Sequence, residues 1–168
     1  LYLADLPKYL DSERNIAPSL HTAKIDHLQY GDDIVLLSHT PLGLQRTIDQ
    51  FTAYISANGL EINVNKTKVM RLLDAKKKTQ TWYINKTPIE EVASYKYLGV
   101  MVGRRLTHTA QAGLMKAKAC NLVFAFSQLK RKLVCPSFSH LLKVMTAKAM
   151  PALTYGLELF QGKEELLN

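Results

Sequence analysis

The sequence predicts an α+β chain: short strands and one amphipathic helix first, then a basic helical layer, with the change near Gly103. Three observations predict it. Apolar stretches bounded by Gly, Asn and Pro turns recur as far as Val102. From Leu106 the apolar spacing switches to fours and threes. Acidic residues vanish between Glu91 and Glu158. The chain has 168 residues and is 47% apolar, enough for a packed core in one domain or one and a half small ones. No stretch approaches 18 uninterrupted apolar residues, so no membrane span is expected. The opening LYLADLPKYL has neither a basic n-region nor a small-residue cleavage site, so no signal peptide is expected. It lacks an initiating Met and starts in mid-pattern, which reads as a piece of a longer chain. Cys120 and Cys135 lack metal-ligand spacing, which suggests reduced structural thiols in an intracellular protein, in nucleus or cytoplasm.

Residues 1–10 read as the end of a helix stopped around Pro7. Ala23–Tyr30 reads as a strand and Ile34–Ser38 as its return, with Gly31-Asp32 between them. Gly at the first central position suits a two-residue type II′ turn, which needs φ > 0 there. Ile34–Leu37 is apolar on both faces, which predicts a central strand covered on both sides. Thr40 is placed to cap a helix with Pro41 as its first residue. Leu44, Ile48, Phe51 and Ile55 form its stripe, and Asn58-Gly59 ends it. Leu60, Ile62 and Val64 alternate as a short strand. Trp82–Ile84 and Ser94–Val102 read as two more strands, with turn chemistry over Asn85–Pro88. Met115, Ala119, Leu122, Phe126, Leu129 and Leu133 make the seam of a long helix that Cys135-Pro136 breaks. Ser137 can cap a second helix bearing Leu141, Val144 and Met145, which Pro151 interrupts before the apolar Tyr155–Phe160.

Charge narrows the class of partner. Lys and Arg exceed Asp and Glu by 22 − 14 = 8. The acid-free span carries Lys96, Arg104, Arg105, Lys116, Lys118, Lys130, Arg131, Lys132, Lys143 and Lys148. A second cluster comprises Lys66, Lys68, Arg71, Lys76, Lys77 and Lys78. One-sign fields of this extent fit a polyanion, because phosphate contacts release counterions. A basic surface kept for solubility is the bland alternative.

Within this basic chain, Asp32 and Asp33 stand side by side next to an apolar run. Two unit charges about 4 Å apart repel by ~4 kcal/mol at an effective dielectric near 20. Either the pair is an ordinary polar turn, or it awaits a cation. A hairpin tip projecting carboxylates suits Mg²⁺, which wants hard oxygen ligands and is usually completed by substrate phosphates. Two such ions can clamp an in-line phosphoryl transfer. Successive strand side chains point to opposite faces, so the two acids need not share one ion. A third carboxylate is normally needed, and the nearby candidates, Asp5 and Asp26, both lack an apolar strand context.

Read together, the motifs resemble the reverse transcriptases of non-LTR (LINE-type) retrotransposons, in the family's order and over nearly the whole chain. LYLADLP resembles the end of the helix after the template-contacting motif. YGDDIVLLS resembles the metal-binding catalytic hairpin, with Gly31 where Ala is commoner. GLEINVNKTKVM resembles the next palm motif, YKYLGVMV the strand pair called the primer grip, and PALTYGLELF a recurrent stretch in the helical region beyond.

The resemblance implies part of a polymerase palm over residues 1–103, an antiparallel sheet with the catalytic hairpin and packed helices, then an α-helical thumb over 104–168. It implies Asp32 as the ligand bridging a two-ion Mg²⁺ site to nucleotide phosphates and Asp33 as its acidic partner. Tyr30 would pack beneath the primer end. Lys66 or Lys68 would protonate the leaving pyrophosphate, a role open to an ammonium beside a phosphate. Tyr95, Tyr97, Leu98 and Gly99 would form the grip. Arg104, Arg105, Lys116, Lys118, Lys130, Arg131, Lys132, Lys143 and Lys148 would contact the duplex backbone by charge and shape. The implied partners are an RNA template, an RNA–DNA or DNA duplex, and dNTP.

The family's first metal-binding Asp, its sugar-selecting segment and its fingers have no counterpart here. The expectation is therefore a palm-and-thumb portion that polymerises little or nothing without the missing N-terminal palm and fingers. The alternatives are a non-catalytic nucleic-acid-binding remnant of such an enzyme, a decayed copy, and a viral RNA-dependent RNA polymerase. YGDD is shared with the last of these, but Lys-Thr-Lys and YKYLGV point away from it.

Overall fold

The computed structural model describes residues 3, 5–10, 17–73, 80–132, 138–156 and 159, without the side chains of 129–132, 138 and 141. Those within Leu1–Val69 and Lys76–Glu91 form one compact unit; those within Met70–Ala75 and Val92–Asn168 form a second. The fold is mixed α+β, with several small sheets. No described helix is long and apolar enough to cross a membrane.

The first unit opens with α1 (Leu6–Tyr9), in which Pro7 sits in the first turn. Proline therefore starts this helix and does not stop one, since the N–H it lacks would be unsatisfied there anyway. Four short strands follow: β1 (Ser19–Leu20), β2 (Ala23–Lys24), β3 (His27–Tyr30) and β4 (Asp33–Leu36). The expected continuous strand 23–30 is thus two, since β2 pairs back on β1 while β3 pairs with β4. Helix α2 (Pro41–Ala57) begins where Thr40 Oγ1 accepts the Gly43 N–H at 3.1 Å. It ends at Asn58, whose N–H bonds back to the last turn, and Gly59 follows at φ +68°. Both boundaries are those the sequence announces.

Beyond α2, Leu60 to Val64 forms no strand among the described residues. The alternation there serves packing, because Ile62 and Val64 lean on the core without a ladder partner. Regular pairing resumes at β5 (Lys68–Val69), which lies parallel to β7 (Thr87–Glu91), itself antiparallel to β6 (Trp82–Ile84). Strand β7 occupies part of the stretch expected to be a turn. It tolerates Pro88 for a visible reason. Its partner Tyr83 turns its N–H and C=O to the Gln45 side chain, at 2.9 Å each, so no ladder bond is required of Pro88.

Ile48, Val69, Trp82, Ile84 and Ile89 form one core cluster of this unit. Trp82 is 1% exposed and its indole N–H donates to Pro41 O at 3.1 Å. Leu6, Leu10, Tyr54 and Ile55 form another, and Ile34 and Leu36 of β4 pack against these clusters. Only that face of β4 is packed in this way. The β3–β4 sheet has two strands, so β4 is not the central, doubly covered strand its composition predicts. Its other face keeps Leu28 and Tyr30 exposed.

In the second unit, the expected strand over Ser94–Val102 is a hairpin: β8 (Ser94–Tyr97) and β9 (Val100–Gly103) around Leu98-Gly99. Both turn residues have positive φ, +46° and +84°, the signature of a type I′ turn. Helix α3 (Thr109–Lys132) packs on β9, with Ala110 beside Gly103. Met115, Ala119, Leu122 and Phe126 are its half-buried side, as the seam predicts. The seam's Leu129 side chain and Leu133, the Cys135-Pro136 stop, and the Ser137 cap lie outside the described residues and side chains.

Helix α4 (Phe138–Val144) runs through a π turn, Met145–Ala149, into α5 (Met150–Thr154). Pro151 therefore does not interrupt the helical path. The wider π turn precedes it, the adjustment that accommodates a residue unable to donate and prone to clash with a preceding carbonyl.

Candidate functional site

Strands β3 and β4 pair Tyr30 with Asp33 and Leu28 with Val35, leaving Gly31 and Asp32 as a two-residue turn. Gly31 has φ +62° while Asp32 is not among the residues with positive φ, as a type II′ turn requires. Asp32 and Asp33 are both exposed, and so is Tyr30 at 69%. Pairing puts Tyr30, Asp33, Leu28 and Val35 on one face of the hairpin, opposite the packed Ile34 and Leu36. The tip thus offers two carboxylates and an aromatic ring, and a Cβ built on Gly31 meets nothing within 4 Å among the described residues. Hard cations accept such oxygens, so the donors suit Mg²⁺ as far as they go.

The third carboxylate does not come from either candidate. Asp5 accepts a hydrogen bond from Tyr54, which is 2% exposed. That bond, with burial and the carboxylate's charge behind it, pushes the Tyr54 phenol up to about 12. Asp26 bonds His27 Nδ1 at 2.7 Å and lies at the other end of β3, a four-residue strand length, roughly 13 Å. Among the described residues no three His, Cys, Asp or Glu side chains group as a metal site.

Between α2 and β5 the chain forms a tight turn whose organiser is Asn63. Its carbonyl accepts the N–H groups of Lys66 and Thr67 at 3.1 and 3.0 Å and the Thr67 hydroxyl at 2.9 Å. Its side-chain Oδ1 also accepts from Lys66 N–H at 3.2 Å. This cap-like turn, with Asn63 Oδ1 accepting the N–H three residues on, fits the Asn…Lys-Thr spacing. It leaves the Lys66 side chain exposed. Lys68 is half-buried in β5 opposite Glu90, and its Nζ sits 2.8 Å from Glu90 Oε2. The two lysines that the sequence leaves equivalent thus differ in exposure, and the Glu90 carboxylate beside Lys68 is one that no local signal reveals.

In the second unit, Tyr95 and Tyr97 share a hairpin face with Val102 and Val100, and Leu98 and Gly99 make the turn. Tyr95 is 39% exposed. Arg105, Lys116, Lys143 and Lys148 are exposed, whereas Arg104 and Lys118 are half-buried. Arg104 also works through its backbone: its N–H donates to Ala93 O at 2.8 Å and its carbonyl accepts from Leu73 N–H at 2.9 Å. Lys130, Arg131 and Lys132 belong to α3, but their side chains lie outside those described, as does the Lys76–Lys78 cluster. The sequence also passes over Gln111 and Tyr155. Gln111, 1% exposed, accepts from Met101 N–H at 2.8 Å and donates to Tyr155 O at 3.1 Å.

Relatives bear on these motifs. A Caenorhabditis elegans protein described as uncharacterized and transposon-derived is 35% identical over 77 residues, 45% of this chain. The chain spans about 28% of that protein's length. No solved structure matches. The family model described as reverse transcriptase (RNA-dependent DNA polymerase) matches residues 3–102, which hold the acidic turn, the Asn63 turn and nearly all of the β8–β9 hairpin. On that match over more than half its length, the chain belongs to the reverse transcriptase family.

Proposed function

We propose that this chain is the palm and thumb portion of a non-LTR (LINE-type) reverse transcriptase, which adds dNTPs to a primer 3′-hydroxyl on an RNA template. In this reading residues 1–103 supply palm and grip strands, and 104–168 supply the thumb. The observation that carries it is the uncovered tip: Asp32 and Asp33 both face solvent at a turn anchored through Ile34 and Leu36. Mg²⁺ bound there with nucleotide supplies charge neutralisation and a more acidic attacking hydroxyl. Asp32 and Asp33 hold and orient that assembly. Tyr30, opposite Asp33, supports the primer end from the same face. Lys66, the more exposed of the two lysines, is assigned as proton donor to the leaving pyrophosphate, Lys68 being half-buried against Glu90. The Leu98–Gly99 turn, with Tyr95 and Tyr97, steadies the primer strand. The exposed cations among Arg104, Arg105, Lys116, Lys118, Lys130, Arg131, Lys132, Lys143 and Lys148 hold the duplex backbone.

Two carboxylates are fewer than the chemistry needs, so the chain alone is expected to extend a primer barely or not at all. A primer-extension assay with Mg²⁺ or Mn²⁺ checks this. Robust, Asp32-dependent synthesis by the isolated chain contradicts it. Among the described residues no third carboxylate groups with Asp32 and Asp33 as a metal site, which also favours a second reading, a nucleic-acid-binding remnant without catalysis. That reading predicts duplex binding that weakens steeply with salt and is indifferent to Asp32→Asn, even once the missing N-terminal half is supplied.

A further inference from the structure

We infer that Tyr155 is a positioning residue for the Leu98–Gly99 turn, locking from outside the hairpin the tip that the proposed function assigns to the primer. Its hydroxyl donates to Leu98 O at 2.7 Å, across 57 residues of sequence. Its ring lies against Gly99, where an added Cβ would come within 3.1 Å of Cε1. The next residue continues the contact. Gly156 has φ +80°, and a Cβ there would meet Val100 Cγ2 at 2.7 Å. Gln111 closes the far side, joining Met101 N–H to the Tyr155 carbonyl. Four consecutive hairpin residues, 98 to 101, are therefore each touched by the 155–156 pair or by the side chain bridged to it.

The turn needs such a lock. Leu98 occupies the left-handed region at φ +46°, in a turn type that Asn, Asp and Gly favour and a γ-branched residue does not. Tyr155 does not act as core filling, because it is 52% exposed. Its contribution is directional: a hydroxyl aimed at the carbonyl of the strained residue and the Cε1 edge of the ring against the glycine that follows. A hairpin tip held this way keeps one shape when a strand end presses on it, whereas a free two-stranded hairpin is marginal by itself.

The test compares the wild-type chain with Tyr155→Phe, which keeps the ring, and Gly99→Ala, which displaces it. Amide hydrogen exchange at residues 97–101 is expected to quicken about threefold to tenfold in Tyr155→Phe, the scale of one neutral hydrogen bond, with α2 amides unchanged. Unchanged exchange at the turn in both variants overturns the lock. The second measurement is affinity for a primer–template with a recessed 3′ end relative to an uninterrupted duplex of equal length. Tyr155→Phe is expected to lower that preference by a similar factor while affinity for the uninterrupted duplex stays unchanged, which a general loosening of the fold would not do. Faster exchange with an unaltered preference removes the turn from the primer contact and leaves the lock standing. A wild-type chain that binds neither duplex defeats the proposed function instead, while faster exchange still supports the lock.

Discussion

The Gly31–Asp32 turn and the Leu98–Gly99 turn close hairpins of the same length, yet one is bare and the other is held. Around Gly31 no described residue lies within reach of an added Cβ, and both neighbouring acids face water. Around Gly99 the Tyr155 ring leaves no spare room, and the Leu98 carbonyl is bonded. The bare turn is set locally, by a glycine where a type II′ turn needs one. The held turn carries leucine in a left-handed position and depends on a residue from the other end of its unit. On the proposed function the acidic tip admits an ion and a triphosphate and so has to stay uncovered, and glycine lets it hold its shape without a brace. A tip that only presents a backbone shape can be braced from behind.

Substitutions at the two turns should separate these roles, beginning with the largest effect. In a polymerase reconstituted with the upstream palm, Asp32→Asn should lower primer extension by about a hundredfold or more, the order of 10²–10³ seen when one stabiliser of transition-state charge is lost. The same change at an exposed turn should leave stability within about 0.5 kcal/mol in thermal or urea unfolding. Gly156→Ala comes next. It combines overpacking against Val100, about 1–3 kcal/mol, with left-handed strain of about 1–2 kcal/mol, so urea unfolding should show a clear loss.

Gly99→Ala and Gly31→Ala form the sharper pair. Each costs about 1–2 kcal/mol for positive φ, but only Gly99→Ala must also move a ring, so it should be the more destabilising in the same assay. Equal losses at the two sites would erase the distinction between held and bare. The smallest effect is confined to alkaline pH. Tyr54 is raised to about 12 in the folded chain by its bond to Asp5, from an ordinary 10.0. The protonated phenol is therefore favoured by folding. Its contribution is fully present below pH 10 and is lost as pH rises from 10 towards 12. An absorbance titration of tyrosinate should show one late-titrating group that Tyr54→Phe removes.

The features legible in the sequence are those whose cause is local. Thr40-Pro41 and Asn58-Gly59 announce α2 because caps act within a turn of the residues they satisfy. Gly31-Asp32 announces the acidic hairpin for the same reason. Strand β7 is hidden because Pro88 argues against a ladder, and only Gln45 on another element shows why the ladder survives. The helical path through Pro151 is hidden by the same residue type, since a π turn leaves no mark in composition. A continuous apolar run misleads in another way: Ile34–Leu37 is hydrophobic on both faces, but one face of that hairpin stays open. The candidate site divides along this line. The two acids are readable from the turn, while the Glu90 partner of Lys68 and the Tyr155 brace of Leu98 join residues far apart in sequence.

On the proposed function the acidic tip takes a divalent cation together with a triphosphate. Paramagnetic broadening of amide resonances by Mn²⁺, titrated with and without dNTP, reads this directly. Selective broadening of residues 30–34 that strengthens with dNTP and disappears in Asp32→Asn is the predicted result. Broadening spread evenly over the acidic side chains, or unchanged by that substitution, would contradict it.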